Sequence, residues 1–516
     1  MKFINVLLAI LVSALMVGLV LEGGLRVIGF GPPNTGLQFD SKLGWALRPD
    51  HKFVNRGPEF RVKIETDAHG LRDDYHGDTK KPDGVFRVLC LGDSFTLGYT
   101  VDRHELFVDL LEHWWQAEGR KIEVVNAGVQ AYSTDQQLAW LEAHGAEWAP
   151  DLVLMFPYEN DLYWNLKDVY ANSSKPVYDE HGKLLTTDLE DRMTRSLPER
   201  TALGNTFLRK KPQLERFTLP GGGRQILAEQ TVLLVDPPTI AMEAERRTSA
   251  IFHQAGATAK KLGAKLVVCP IPSHSQIDER YAADVMGAKA LKLPREQWDP
   301  ALPYAMLKRA AETGSEHVLD PLPALRAAEA AGRKQYYNID WHLEAEGNRT
   351  LAEYLHGQLD ELALVPARVT EAALEPPLPK GGGIPKWLPV YGVLWLLLGT
   401  LYTRSYKDES AVAGYLKVAG MLAMVFTIAI GGSKLIAMLP PKVSQIVLAS
   451  AILAILGFVV FKMGDKIRTA AELLKSFTLR GHWYLMPLLA VLVTIGSLLV
   501  VAASSPLVAP FIYTLF

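Results

Sequence analysis

Apolar and polar positions divide the chain into three stretches. Residues Phe3 to Leu21 are almost continuously apolar, with Lys2 before them and Glu22-Gly23-Gly24 after. Such a run approaches the ~20 residues that a helix needs to cross a bilayer core. No small-x-small cleavage site stands just beyond it, so residues 1–24 read as an uncleaved anchor rather than a signal peptide. Four further runs crowd the other end: Trp387 to Tyr402, Val418 to Leu439, Val443 to Phe461 and Trp483 to Ala503. Trp387, Trp483 and Tyr484 lie at run ends, where amphipathic rings favour the membrane interface. Residues 386–516 are therefore expected to form a membrane domain of four transmembrane helices. Residues 365–385 read as a linker, because Glu375-Pro376-Pro377-Leu378-Pro379-Lys380 and Gly381-Gly382-Gly383 suit neither helix nor strand.

Between these ends, short β-branched runs alternate with longer helical periods, the pattern of a parallel α/β sheet. Strands are expected at Phe86–Leu91, Ile122–Val125, Asp151–Phe156 and Lys265–Cys269. Helices are expected over Glu105–Glu118, Gln136–Glu147, Glu243–Leu262 and Gly347–Leu362. The first carries Leu106, Leu110, Leu111 and Trp114 on one stripe. Leu162 to Pro238 departs from this rhythm and carries Arg209-Lys210-Lys211 and Gly221-Gly222-Gly223. It reads either as a cap over an acceptor site or as a surface insertion.

Charge adds little at the level of the whole chain. The 516 residues hold 54 Lys and Arg against 56 Asp and Glu, which gives no field for nucleic acid. Where the charges fall is more informative. Arg404, Lys407 and Lys417 follow the second apolar run of the chain, and Lys462, Lys466, Arg468, Lys475 and Arg480 precede the last. The link Pro440-Pro441-Lys442 carries one charge. Placing both basic loops in the cytoplasm puts the middle domain outside it, on the periplasmic or extracytoplasmic face of an inner, multi-pass membrane protein. Cys90 and Cys269 each lie inside an apolar run and read as buried thiols, although a disulfide between them stays open. No paired Cys or His occurs at ligand spacing, so neither a metal nor a cofactor is expected.

The loops after the strands are where a parallel sheet assembles its sites. They hold Gly92-Asp93-Ser94-Phe95, then Asn126-Ala127-Gly128, then Tyr158-Glu159-Asn160-Asp161. Asp340-Trp341-His342-Leu343 stands before the last helix. This ordered set resembles the SGNH (GDSL) hydrolase family over roughly Gly44 to Leu362. Gly70-Leu71-Arg72-Asp73 is similar to a lead-in segment of that family. The resemblance implies a three-layer α/β/α domain over residues 44–364 and ester chemistry. Ser94 would be the nucleophile, His342 the general base and Asp340 its orienting acid. The Ser94 and Gly128 N–H groups and the Asn160 side chain would form the oxyanion hole. Asp161 reads as structural, and His104, His274 and His317 as solvent or loop residues. Two features depart from the family pattern. Tyr158 stands where a glycine is usual, and one residue rather than two separates Asp340 from His342, a spacing similar to that of the membrane-associated polysaccharide acetylation branch.

The chemistry is coherent on its own terms. A serine hydroxyl needs an adjacent base, and the base needs a carboxylate to fix its tautomer. Each oxyanion donor is worth about 3 kcal/mol to the transition state. The resemblance implies an esterase or O-acyltransferase acting on acyl groups, acetyl above all, of an extracytoplasmic glycan or cell-envelope polymer. A lysophospholipase or thioesterase acting on membrane lipids stays open beside it. So does a non-catalytic assembly subunit, because five spans exceed what an anchor requires and point to partner membrane proteins besides the lipid bilayer. The tail from Ser505 to Phe516 resembles the end of small bacterial membrane proteins of unknown function.

Overall fold

A computed structural model describes residues 36–375 except 58, 74–78, 171–172, 187, 192–214, 221–222, 279–290, 292 and 371–373. It also describes Glu22 and residues 387–437 except 407–408. The first apolar run, the last two runs and residues 376–386 lie outside the described residues. These divide into two compact units, with a break between 379 and 380.

The larger unit opens with two antiparallel hairpins. They are β1 (Leu37–Asp40) with β2 (Gly44–Leu47), and β3 (Lys52–Arg56) with β4 (Arg61–Glu65). A five-stranded parallel sheet follows. Its strands are β5 (Phe86–Gly92), β6 (Ile122–Asn126), β7 (Leu152–Phe156), β12 (Lys265–Val268) and β13 (His317–Val318). Their spatial order is β13-β12-β7-β5-β6. The small strands β8 (Val169–Tyr170), β9 (Ser173–Ser174), β10 (Arg216–Thr218) and β11 (Gln225–Leu227) belong to the insertion between β7 and β12.

Alternation along the central strands builds two cores. Leu89, Leu91, Val153, Met155, Leu266 and Val268 point to one face. There they meet α3 (Thr134–Trp148), α5 (Thr239–Lys261) and the hairpin residues Trp45, Phe53 and Ile64. Val88, Cys90, Leu154, Phe156, Val267 and Cys269 point to the other face, against α2 (Phe107–Ala117), α8 (Leu322–Ala330) and α9 (Ala345–Glu361). This is the expected three-layer arrangement, because strands buried on both faces must be apolar throughout. The remaining helices of this unit are α1 (Ser94–Leu97), α4 (Asp161–Trp164), α6 (His274–Ile277) and α7 (Leu302–Ala311). Cys90 and Cys269 are free and buried on the same face, and burial pushes both thiols well up.

Three features differ from the sequence expectation. Hairpins β1–β4, strand β13 and helices α7 and α8 carry too short or too mixed a period to read locally. The segment from Val365 does not leave the domain as a free linker. Val365 is buried, the Val369 and Thr370 N–H groups donate to the Glu118 carbonyl, and the Glu375 carbonyl accepts from Trp114 Nε1 at 2.8 Å. His274 is buried rather than solvated, stacked on Tyr336 with ring centroids 5.4 Å apart.

The second unit contains α10 (Trp387–Ser405) and α11 (Ala411–Ala437). Tyr391 OH donates to the Ala419 carbonyl and Trp395 Nε1 to that of Tyr415, at 2.8 and 2.9 Å. A Cβ on Gly399 would lie 2.3 Å from the Tyr415 ring, so the small residue allows this close approach. Val393, Leu396, Leu397, Val412 and Leu416 are exposed. Among the described residues no helix is long and apolar enough to cross a membrane. The run from Val418 to Leu439 ends beyond them.

Edge strand β6 shows how a buried acid is used. Glu112 on α2 accepts the Val124 N–H at 3.1 Å, capping the outer edge of β6, on which no strand pairs among the described residues. Burial, with Asp73 beside it, raises the Glu112 carboxyl from 4.5 to about 8. The folded state therefore binds more protons than the unfolded chain between those values, so stability falls as pH rises through that window. In Glu112→Gln, which keeps an acceptor and removes the titration, the melting temperature should fall less steeply over the same window. Parallel declines in the two proteins would refute this assignment.

Candidate active site

The turn that carries Ser94 is built from contacts that leave little freedom. β5 ends at Gly92, where a Cβ would lie 2.0 Å from Thr96 Oγ1. Asp93 then caps the single turn α1, its carboxylate accepting the Phe95 N–H at 2.8 Å. Ser94 takes the first helical position, half-buried, where its own N–H has no intrahelical partner. The turn stops at Gly98, whose φ of +71° is the left-handed conformation that glycine adopts without strain.

Arg72 closes the far side of the turn. Its buried guanidinium donates to the carbonyls of Leu97 and Val101, each at 2.9 Å, and to that of Gly98. Burial lowers it to about 10, which still leaves it charged at neutral pH. Asp73 accepts from Arg103 at 3.0 Å and, at 3.4 Å, from the Asn126 N–H. The Gly-Leu-Arg-Asp lead-in is thus the scaffold of the Ser94 turn.

The closing loop brings the base. Between Tyr336 and Leu343, which form an isolated antiparallel bridge, the chain turns back on itself with the Tyr337 N–H donating to the His342 carbonyl at 3.0 Å. Trp341 sits at the tip with φ +69°, an outlier for a bulky residue and a form of strain that clusters at functional sites. The loop places His342 Nε2 2.7 Å from Ser94 Oγ and His342 Nδ1 2.5 Å from Asp340 Oδ1. An ionised carboxylate can only accept, so Nδ1 carries the proton and Nε2 remains the acceptor for the serine hydroxyl. Phe95 and Tyr99 pack against the imidazole, with ring centroids 4.5 and 5.6 Å away. The structure thus joins Ser94, His342 and Asp340 in one hydrogen-bonded chain.

The residues expected to form the oxyanion hole are less uniform. A Cβ on Gly128 would lie 2.4 Å from the Leu97 nitrogen and 2.6 Å from the Thr96 carbonyl carbon, so only glycine lets the β6 loop reach α1. Its N–H, however, already donates to Asn126 Oδ1 at 3.0 Å, so a substrate oxyanion would have to share it. Asn126 also donates to the Thr96 carbonyl at 2.9 Å and so pins that loop to the nucleophile turn. Asn160 stands at the start of α4, its side chain caps nothing, and its Oδ1 is buried with no partner. Asp161 serves the turn itself, accepting from Thr134 Oγ1 at 2.9 Å and the Tyr158 N–H at 3.3 Å. Tyr158, in the place of the usual glycine, packs on Phe95 at 4.8 Å.

Two buried acids flank these loops. Burial raises Asp93 to about 6 and Glu159 to about 7, opposed at Asp93 by the Phe95 N–H and at Glu159 by Ser273. Elsewhere Glu118, His356 and Asp360 lie close enough together to suggest a metal site. Arg120 bonds Glu118 at 2.7 Å and both Asp360 oxygens at 2.5 and 2.7 Å, and Arg368 bonds Asp360 at 3.2 Å, so guanidinium groups already engage both carboxylates. Of the residues that shape the site, the roles of Arg72 and Asn126 were not evident from the motifs that contain them.

Residues 467–516 match a family of unknown function (DUF5989). A search of curated proteins gives no match. Among solved structures, TesA is 17% identical, with 54% of this chain and 99% of that one covered and a TM-score of 0.28. The acetyl xylan esterase AlAXEase is 14% identical, with 53% and 100% covered and a TM-score of 0.30. The lipase/acylhydrolase from Enterococcus faecalis is 14% identical, with 54% and 97% covered and a TM-score of 0.28. Likeness this loose leaves the side-chain geometry to identify the chemistry.

Gly128→Ala should collide with backbone at Thr96 and Leu97. It should cost about 1–3 kcal/mol of stability, read by chemical denaturation, and slow Ser94 more than the stability loss explains. Wild-type stability would show that the loop gives way without strain.

Proposed function

We propose that the chain is a serine esterase or O-acyltransferase that takes an acyl group, acetyl in the favoured case, from an ester of an extracytoplasmic glycan or cell-envelope polymer. The observation that carries this reading is the Asp340–His342–Ser94 chain, with bonds of 2.5 and 2.7 Å. His342 Nε2 removes the Ser94 proton as Oγ attacks the acyl carbonyl, and Asp340 stabilises the imidazolium that forms. The tetrahedral oxyanion is met by the Ser94 N–H, the Asn160 amide and a shared Gly128 N–H. Collapse breaks the ester bond, and the alcohol leaves with the proton held on His342. Water or a second hydroxyl then attacks acyl-Ser94 with His342 again as base, and the acyl–Oγ bond breaks as His342 returns the proton to Ser94.

The aromatic surroundings favour a glycan. Tyr99, Tyr158 and Tyr337 are half-buried near the triad, the kind of aromatic surroundings that suit a sugar ring. The apolar runs at both ends and the basic loops between them support a catalytic domain held at the outer face of a membrane, beside a polymer emerging there.

A fluorophosphonate probe applied to detergent-purified full-length protein should label wild type and leave Ser94→Ala unlabelled. Absence of labelling in wild type would sink the enzyme reading. Incubation with an acetylated glycan should then release acetate or pass it to an added acceptor, which separates hydrolysis from transfer.

A further inference from the structure

The triad needs its acid and base held still, yet the closing loop that carries them is neither helix nor strand from Tyr337 to His342. Part of what holds it comes from residues that precede the sheet. Hairpin β3–β4 turns through Gly57 and Phe60, with the Gly57 N–H donating to the Phe60 carbonyl at 3.1 Å. The turn presents Glu59. One carboxylate oxygen of Glu59 accepts the Asn338 N–H at 3.0 Å, and the other accepts those of Ile339 at 2.7 Å and Asp340 at 3.3 Å. Three successive backbone donors thus converge on one side chain, and the last belongs to the catalytic acid.

The same hairpin also reaches the other face of the base. Phe60 packs on Tyr99 and Tyr337, with ring centroids 6.1 and 5.6 Å away. Asn55 Nδ2 donates to the Tyr99 carbonyl at 2.7 Å, and Tyr99 in turn lies against His342. Phe53, Val62 and Ile64 root the hairpin in the core, so its tip cannot drift.

The geometry points to Glu59 as a positioning residue of the catalytic machinery: by gathering the 338–340 amides it sets where Asp340 presents its carboxylate to His342. This rests on the esterase reading of the triad. Glu59 touches neither substrate nor serine and acts only through the loop. A carboxylate suits the task because it is acceptor-only and can serve three N–H groups at once. An amide at this position would turn an NH2 toward one of them.

The test uses full-length protein in detergent and two readouts. Hydrogen exchange at the 338–340 amides should be slow in wild type and fast in Glu59→Ala, while β5 and β7 exchange equally in both. Fluorophosphonate labelling of Ser94 should slow by about 10–100-fold in Glu59→Ala, the scale of a displacement of roughly 1 Å at a reacting group. Glu59→Gln, which keeps one acceptor oxygen, should fall between the two. In an Asp340→Asn background the Glu59→Ala change should cost little more, because both act on the same contact. Unchanged exchange at 338–340 would overturn the inference, and so would freed amides with wild-type labelling. If wild type itself does not label, the esterase reading fails, and the exchange measurement still decides whether Glu59 holds the loop.

Discussion

The hydrogen bond between Ser94 Oγ and His342 Nε2 joins residues 248 apart in sequence, and much of the architecture can be understood as what makes it possible. A serine at the end of an inner strand and a histidine in a loop before the last helix meet only if the sheet, its crossovers and the final helix are all in place. Ser94 follows β5, the strand paired with both β6 and β7, at the point where the strand order reverses. Loops diverge there and leave a crevice at the carboxyl ends of the strands.

Rigidity around that bond comes from close approach rather than from many contacts. Gly92 and Gly128 let the nucleophile turn lie against its neighbours at distances that a side chain would forbid. Arg72 ties off the carbonyls at the end of the turn, and Asn126 fastens the β6 loop to it. On the other side the closing loop is strained at Trp341, and the Glu59 carboxylate holds it from outside. One half of the triad therefore sits on a turn braced from within. The other half sits on a loop braced by a hairpin that precedes the sheet.

The buried acids carry a second theme. Asp93, Glu112 and Glu159 are all pushed upward by burial, and each accepts a hydrogen bond from backbone or from a serine. A carboxyl that is part-protonated near neutrality costs less to bury than a fixed charge. Such groups can therefore cap exposed backbone in a tightly packed α/β domain, at the expense of a stability that depends on pH.

The sequence by itself determined the central strands and the main helices, and it marked Ser94, His342 and Asp340 as the candidates that the fold then brings together. Apolar alternation and short motifs at strand ends are local signals, and they survive without any knowledge of packing. Tertiary structure alone decided the rest. Glu59 lies 281 residues from Asp340, and a turn glutamate looks like any solvated acid until the loop folds over it. The engagement of Gly128 by Asn126 is equally invisible in sequence, because a motif names a donor and not what already occupies it. Hydrogen-bond partners chosen across the fold leave no period in the chain, so the candidate site residues could be read from sequence and those that hold them in place could not.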